Sequence, residues 1–297
     1  SLKKNLKKNT NIIFNEDCFV ISLYRPFTKQ KLYFNRNLNE YWFQIPKMFP
    51  NNNLGNITIC ITSDLRKEFS LLITNLIPDT HMNGDTVCFP LYYYEENNTA
   101  QKGLFDDANE NEYIRRDAIS DYILDKAKKQ YGVSKNSTNI SKEDIFYYVY
   151  GFLHSPEYRE MFANDLKKML PRLPLVDDVR DFWAFSKAGR KLADLHLNYE
   201  RVAPYDGVLV NGLSSRASDT TSDSEPNYLV EKMRFPKKNQ KDTIIYNSKI
   251  TISNIPAQAY EYVVNGKSAI EWIMERYRVT THNDSKITNN PNDWSEE

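Results

Sequence analysis

Ser22-Leu23-Tyr24-Arg25-Pro26-Phe27-Thr28-Lys29-Gln30-Lys31-Leu32-Tyr33-Phe34, followed by Tyr41-Trp42-Phe43-Gln44-Ile45-Pro46-Lys47-Met48-Phe49-Pro50, reads as two aromatic strands around a basic, polar turn. Aromatic and β-branched residues suit a pleated, half-buried surface, and polar residues suit the reversal between two strands. The same texture runs outward. Residues 12–34 alternate in short apolar runs, and Ile57-Thr58-Ile59-Cys60-Ile61-Thr62 reads as a strand. Residues 69–77 fit a strand or a short helix. Val87-Cys88-Phe89-Pro90-Leu91-Tyr92-Tyr93-Tyr94 reads as one further strand, and residues 96–111 as an acidic loop.

Beyond residue 111 the apolar period changes to that of a helix. Ile114, Ala118, Ile119, Tyr122, Ile123 and Ala127 make one stripe, closed by Gly132, and residues 134–139 read as a polar linker. Ser141-Lys142-Glu143-Asp144 has the form of a capping box. Ser155-Pro156-Glu157 opens a helix carrying Tyr158, Phe162, Leu166 and Met169, which stops at Pro171. A fourth helix is predicted from about Asp177 to His196, burying Phe182, Trp183, Leu192 and Leu195. Residues 202–227 form a Ser-rich loop around Arg216. Strand-like pieces follow at 228–235, 243–247 and 250–252, then a helix capped by Ser268 with Trp272, Ile273 and Tyr277. This order predicts an α+β fold with a β-rich N-terminal part, a central helical bundle and C-terminal strands plus helix. Residues 1–11 read as a basic linker or cloning remnant, and 12–297 as one domain with subregions 12–95, 106–200 and 226–280.

At 297 residues, 40% hydrophobic and 26% charged, the chain has ordinary globular composition. No apolar run approaches the roughly 18 residues of a membrane span, and Ser1-Leu2-Lys3-Lys4 is not a signal peptide. Cys18, Cys60 and Cys88 are sparse, odd in number and without metal spacing, which predicts reduced, buried thiols in the cytoplasm. The net charge of zero hides a gradient. Residues 1–70 carry 11 basic and 5 acidic groups, while residues 71–130 carry 6 and 11. A neutral chain argues weakly for nucleic acid as a partner, but its N-terminal third can present a positive face.

Several catalytic chemistries lack their residues. There is no Walker loop for phosphates and no Gly-x-Gly-x-x-Gly for a dinucleotide. No Pro-Pro pair is present to form the motif with which amino-methyltransferases grip an exocyclic amine, and no Glu-x-Lys follows Pro78-Asp79 to complete a nuclease metal site. Asp165-Leu166-Lys167 falls on a predicted helix as two solvated charges. Asp79 and His81 lack a third ligand nearby and read as a turn. His154 and His196 fall near helix ends, where partial positive charge is favourable. No catalytic, cofactor-binding or metal-ligating residue is assigned.

Reading DNA needs cations for phosphates and Arg, Lys, Asn or Gln for base edges. Three stretches combine these types. The first joins Lys29 and Gln30 to Arg36, in the turns 28–31 and 35–37. The second, residues 232–241, holds five basic groups and no acid, among them Lys232, Arg234, Lys237 and Lys238. The third is the loop around Arg216. Each also has an ordinary reading, as a solvated hairpin tip or a polar insertion. The lysines at 3, 4, 7 and 8 form a basic arm, and most of the 20 Tyr and 15 Phe sit at core spacing.

Further motifs accompany these: Tyr24-Arg25-Pro26-Phe27, Gln44-Ile45-Pro46-Lys47, Ile77-Pro78-Asp79-Thr80-His81, Cys88-Phe89-Pro90-Leu91-Tyr92, Leu153-His154-Ser155-Pro156-Glu157-Tyr158-Arg159, Pro171-Arg172-Leu173-Pro174, Gly189-Arg190-Lys191-Leu192-Ala193 and Ala259-Tyr260-Glu261-Tyr262-Val263-Val264-Asn265-Gly266. With them the chain resembles, over most of its length, the C-terminal specificity domain of type ISP restriction–modification enzymes. The resemblance implies a bacterial, cytoplasmic polypeptide whose upstream parts are a nuclease, a helicase-like ATPase and an adenine methyltransferase. ATP, Mg and S-adenosylmethionine are then expected in those parts, and double-stranded DNA and the neighbouring domains are the expected partners of a non-catalytic, target-recognising fragment. The alternative is a structural module that couples methyltransferase to motor with little DNA contact. The matched motifs are scaffold and leave the base-reading residues to the candidates named above.

Overall fold

Strand β3 is built from Thr58-Ile59-Cys60-Ile61-Thr62, buried at every position, and most of the structure around it exists to cover its two faces. The computed structural model describes residues 5, 7–8, 11–40, 42–64, 66–97, 112–132, 140–212 and 228–293. They divide into two units. The first comprises Ser1–Arg25 with Lys29–Arg201, and the second Pro26–Thr28 with Val202–Glu297. The architecture is α+β.

In the first unit β1 (Phe19–Arg25) lies between β2 (Thr28–Tyr33) and, in parallel, the short β5 (Ile77–Pro78). A second sheet sets β3 (Thr58–Thr62) between β4 (Leu71–Thr74) and β6 (Thr86–Pro90), antiparallel to both. β7 (Tyr92–Glu96) pairs with β8 (Tyr113–Asp117). Helix α1 (Ile45–Met48) precedes β3. After β8 come α2 (Asp121–Tyr131), α3 (Lys142–Phe152), α4 (Pro156–Met161), α5 (Ala163–Leu166) and α6 (Val179–Leu197). Side chains alternate along β3. Ile59 and Ile61 join Leu71, Ile73, Phe146, Tyr148, Tyr150 and Phe182 in the main core, while Cys88, across from Cys60, packs with Met48, Phe49 and Ile77 in a smaller one.

Two local devices hold this together. Asn56 Nδ2 donates to the carbonyls of Met48 (2.9 Å) and Tyr92 (2.8 Å), and its Oδ1 accepts from the amides of Ile57 and Tyr92. One buried side chain thereby ties α1 and β7 to the start of β3. Where α3 crosses α6, two glycines permit backbone contact. A Cβ on Gly189 would fall 2.0 Å from the Tyr147 carbonyl oxygen, and one on Gly151 would fall 2.2 Å from that of Phe185.

The second unit has an antiparallel sheet of β9 (Leu209–Asn211), β10 (Ile244–Ile245) and β11 (Thr251–Ser253), with β11 in the middle. The hairpin β12 (Val263–Val264) and β13 (Lys267–Ser268) leads into α7 (Ala269–Arg276), and β14 (Thr280–Thr281) pairs with β15 (Thr288–Asn289). Val230, Met233, Ile244 and Ile255 form its core with Ile270, Ile273 and Tyr277. The Trp272 indole donates to the Val264 carbonyl (2.8 Å), fixing α7 to its hairpin.

The capping boxes at Ser141 and Ser268 form as the sequence predicts. Other expectations are corrected. Residues 42–50 do not make a strand; Pro46 lies in the first turn of the single helical turn α1, where a missing N–H costs no intrahelical bond. Val87–Tyr94 breaks at Leu91 into β6 and β7, which pair with different strands. Ile114 belongs to β8, opposite Glu95, and the helix starts only after Ser120. The helix expected from Ser155 to Pro171 splits at Phe162, which leaves helical geometry (φ −107°, ψ 17°) with its ring on Tyr158. Leu195, expected inside, is 48% exposed. Residues 228–235 form only single bridges, Lys232 to Arg278 and Arg234 to Ile245, because the segment changes partner after one pairing on each side. Lys3, Lys4, most of the 96–111 loop, the 134–139 linker and the loop around Arg216 lie outside the described residues.

Candidate nucleic-acid interface

The first basic stretch is not a turn. Its reversal comes earlier, at Pro26-Phe27, where Phe27 takes a left-handed φ of 57°. Residues 28–33 are therefore strand, and Lys29 and Gln30 point to opposite faces of β2. Lys29 shares its face with Lys31 and Tyr33, while Gln30 shares its own with Leu32 and Phe34. The Lys29 ammonium is ion-paired with Glu200 and lies 5.4 Å from the centre of the Tyr199 ring. The Gln30 side-chain amide makes no hydrogen bond among the described residues, so its donors and acceptor are available. Arg36 does sit in a turn, shaped by Asn35 Oδ1 accepting from Asn37 N–H (2.9 Å). Its guanidinium lies 5.6 Å from the Trp42 ring centre, and Trp42 stacks on Phe34 at 4.2 Å.

Part of the basic excess in residues 1–70 is internally neutralised. Arg25 meets Asp79 at 2.8 Å, Arg66 meets Asp64 at 2.8 Å, and Lys29 meets Glu200. Lys31, Arg36 and Lys47 remain exposed, with no carboxylate partner among the described residues.

In the second unit the structure gathers the other four candidates into one segment. Met233 is buried between Lys232 and Arg234, and alternation turns those two cations outward on the same side. The Arg234 amide donates to the Ile245 carbonyl (3.1 Å) and the Ile245 amide donates back (2.8 Å), which holds the segment in register. Lys237 and Lys238 follow in an exposed turn closed by Gln240 N–H to the Lys237 carbonyl. The bridge also sets Arg278 directly opposite Lys232, so its side chain lies on the same face. Sequence reasoning missed Arg278 because it lies far along the chain from Lys232; the alternation Arg276-Tyr277-Arg278 was its one local sign. Among the described residues none of Lys232, Arg234, Lys237, Lys238 and Arg278 forms an ion pair with a carboxylate. Like charges placed directly across a ladder destabilise it, so Lys232 beside Arg278 favours an anion above that face.

Other polar chemistry in the structure is of a different kind. A groove of about 770 Å³ in the first unit is walled by Leu32, Phe34, Ile45, Met48, Ile77 and Cys88. Glu40, Asp79 and Asp85 also line it, an acidic surround that suits no phosphate. His81 Nδ1 lies 3.2 Å from Asp85 Oδ1 on the exposed rim. Among the described residues no group of three His, Cys, Asp or Glu side chains is placed to hold a metal. His154 and His196 do not act as cations at helix ends. Burial holds both well below the ordinary histidine value, to about 4 and about 3, so both are neutral. No helix among the described residues is long and apolar enough to cross a membrane.

The family model described as Type ISP C-terminal specificity domain matches residues 1–297. Among solved structures, the chain is similar to the ATP-dependent Type ISP restriction-modification enzyme LlaBIII bound to DNA. Identity is 36% over 100% of this chain and 18% of that one, with a TM-score of 0.83. It is also similar to a nuclease-deletion mutant of the Type ISP restriction-modification enzyme LlaGI in complex with a DNA substrate mimic, at 39% identity over 100% and 20% of the two chains and a TM-score of 0.77. A cryo-EM structure of a DrdV–DNA complex matches at 31% identity over 99% and 27%, with a TM-score of 0.79. The chain thus spans between 18% and 27% of the length of these relatives. No curated protein matches the sequence.

Proposed function

The chain belongs to the Type ISP C-terminal specificity domains, and on that premise we propose that it recognises a sequence in double-stranded DNA without catalysing a reaction itself. The observation that carries this reading is the outward face of Lys232, Arg234 and Arg278, which is continuous in sequence with Lys237 and Lys238. Five cations that form no salt bridge with a carboxylate among the described residues, two of them opposed across a bridge, suit a line of phosphates. These groups position the backbone. Gln30 and Arg36, on the first unit, are the candidates for base edges, since an unengaged amide and a guanidinium match adenine and guanine respectively. Lys29 contributes less, because it begins paired.

The DNA-bound relatives support the reading, each being a far longer chain. Methylation with S-adenosylmethionine, ATP-driven translocation and Mg-dependent cleavage are then work for other domains of a longer polypeptide, beside which this domain holds the target. One observation favours the coupling reading. Phe14, Phe19 and Tyr33 cluster with ring centres 5.2 to 5.9 Å apart, while Ile13 is 79% and Phe14 63% exposed. A surface of this kind suits a protein neighbour.

Selection of the domain against a random duplex library at low salt, with sequencing of the retained DNA, separates the two. Enrichment of an asymmetric motif supports recognition. Retention without a motif supports backbone binding alone. No retention, repeated with a chain that includes the methyltransferase, would leave the coupling role. Binding through phosphates also predicts that affinity falls steeply as salt rises.

A further inference from the structure

Cys60 and Cys88 are direct cross-strand partners on β3 and β6, and their sulfur atoms are 3.7 Å apart. Two backbone hydrogen bonds fix the kind of pairing between them. Leu91 N–H donates to the Ile57 carbonyl (2.8 Å) and Ser63 N–H to the Asp85 carbonyl (2.9 Å). Positions 57 and 63 are therefore hydrogen-bonded sites. Strict alternation along an antiparallel ladder puts 59 and 61 in the same class and leaves Thr58, Cys60 and Thr62 in the non-hydrogen-bonded one. Pro90, opposite Thr58, fits that parity, because it has no N–H to give.

In non-hydrogen-bonded pairs the Cα atoms approach to about 4.5 Å, which lies within the span of a disulfide. The sulfurs, 3.7 Å apart, must close to about 2.05 Å to bond. The two thiols also differ in access. Cys60 is fully buried, whereas Cys88 lines the open 770 Å³ groove. The hydrogen bond between the two sulfurs holds Cys88 below the ordinary thiol value, and burial pushes Cys60 well above it. The sulfur that the groove reaches is thus the better nucleophile, and the one beneath it keeps its proton.

We propose that Cys60 and Cys88 form an oxidisable dithiol, in which Cys88 reacts with a peroxide entering the groove and Cys60 resolves the product to a cross-strand disulfide. In the first step the Cys88 thiolate attacks one peroxide oxygen. The S–O bond forms, the O–O bond breaks, and the leaving hydroxide takes up a proton to become water. In the second, the Cys60 sulfur attacks Cys88, the S–S bond forms, the S–O bond breaks, and the second hydroxide leaves as water with the Cys60 proton. Two thiols are oxidised and one peroxide is reduced to two waters. The resulting bond staples β3 to β6 along the groove.

Cys18 is the internal control, being a half-buried thiol whose sulfur accepts from the Asn35 amide at 3.6 Å. The native chain is treated with equimolar hydrogen peroxide and mapped by mass spectrometry without reduction. The expected result is one cross-linked peptide pair joining Cys60 to Cys88, lighter by two hydrogens, formed at least roughly ten-fold faster than any change at Cys18 and reversed by dithiothreitol. In Cys60→Ala the resolving thiol is gone, and a sulfenic-acid trap should label Cys88. Oxidation of Cys18 as fast as the pair would overturn the proposal. So would build-up of sulfinic acid at Cys88 in the native chain without the cross-linked peptide. The native map decides the matter by itself if the variant does not fold.

Discussion

The Tyr150 hydroxyl and His196 Nδ1 lie 2.6 Å apart, inside the core that joins α3, α6 and β4. Tyr150 Oη also accepts the Ile73 amide of β4 at 3.2 Å, which ties the hydroxyl to the sheet as well as to His196. His154 Nδ1–H donates to the Tyr150 carbonyl at 2.7 Å, and its ring lies 5.9 Å from that of His196. Two neutral imidazoles thus sit side by side at the place where helix and sheet meet.

That arrangement sets an acid limit. Both histidines are held below their unfolded value of 6.5, to about 4 and about 3, by burial. A depressed base binds protons in the unfolded chain first, so stability is intact above pH 6.5 and falls as pH drops toward 4 and then 3. The expected slope is on the order of 1 kcal/mol per pH unit for each histidine in that window. Urea titrations from pH 7.5 to 4.5 measure it. His196→Gln should flatten the curve, and an unchanged slope in that variant would place the acid limit elsewhere.

Gly189→Ala tests the helix crossing with a sign reversal. Helix propensity alone predicts that replacing an interior glycine by alanine stabilises by about 1 kcal/mol. The new Cβ would fall 2.0 Å from the Tyr147 carbonyl oxygen and 2.7 Å from the Gly151 nitrogen, both backbone atoms that cannot rotate away. A net loss of about 2 kcal/mol or more is expected by chemical denaturation. A gain would show that the two helices separate cheaply.

Asn56→Ala removes a side chain that serves four backbone groups. At 5% exposure, water cannot take its place without opening the site. The expected loss is about 3 kcal/mol or more, since each stranded buried group costs about 1 to 3 kcal/mol. Asn56→Asp keeps the oxygen that accepts from two amides but removes both donors, so it should also destabilise. A thermal unfolding series over both variants checks this.

Glu200→Gln should strengthen duplex binding. Exposed ion pairs are worth at most about 1 kcal/mol, so releasing Lys29 from Glu200 offers phosphate a free cation. A rise of roughly two- to five-fold at low salt is expected, fading as salt increases. Lys232→Ala and Lys237→Ala should instead weaken all duplexes alike and reduce the salt slope by about one each. Fluorescence anisotropy across a salt series reads all three. No rise in the first variant would place Lys29 away from the DNA path.

The sequence made legible what side chains do to their own neighbourhood. The boxes at Ser141 and Ser268, the proline opening α4 and the apolar run of β3 are all local signals. The misplaced hairpin tip shows where that ends. A left-handed residue after Pro26 is ordinarily announced by Gly or Asn, and here it is Phe27, so only Pro26 marks the reversal and the polar residues 28–31 look like the turn instead. The cationic segment of the second unit was visible as composition, but its orientation was not. Only the buried Met233 and the distant bridge to Arg278 decide that Lys232, Arg234 and Arg278 share a face. Pairing of Lys29 with Glu200 was equally out of reach, because no periodicity links a strand residue to an acid beyond the end of α6.

The complete burial of β3 has a cost that falls before the fold exists. Ile57-Thr58-Ile59-Cys60-Ile61-Thr62 has no charge, proline or glycine, and in a chain still leaving the ribosome it has the character of an amyloid-forming hexapeptide. What shields it is the order of synthesis. β4 emerges next and β6 soon after, so both edges are occupied by nearby partners before the helices arrive to cover its apolar face. A slip in that order would leave the chain prone to clumping with its own copies, and chaperone dependence during expression would be concentrated on this short stretch.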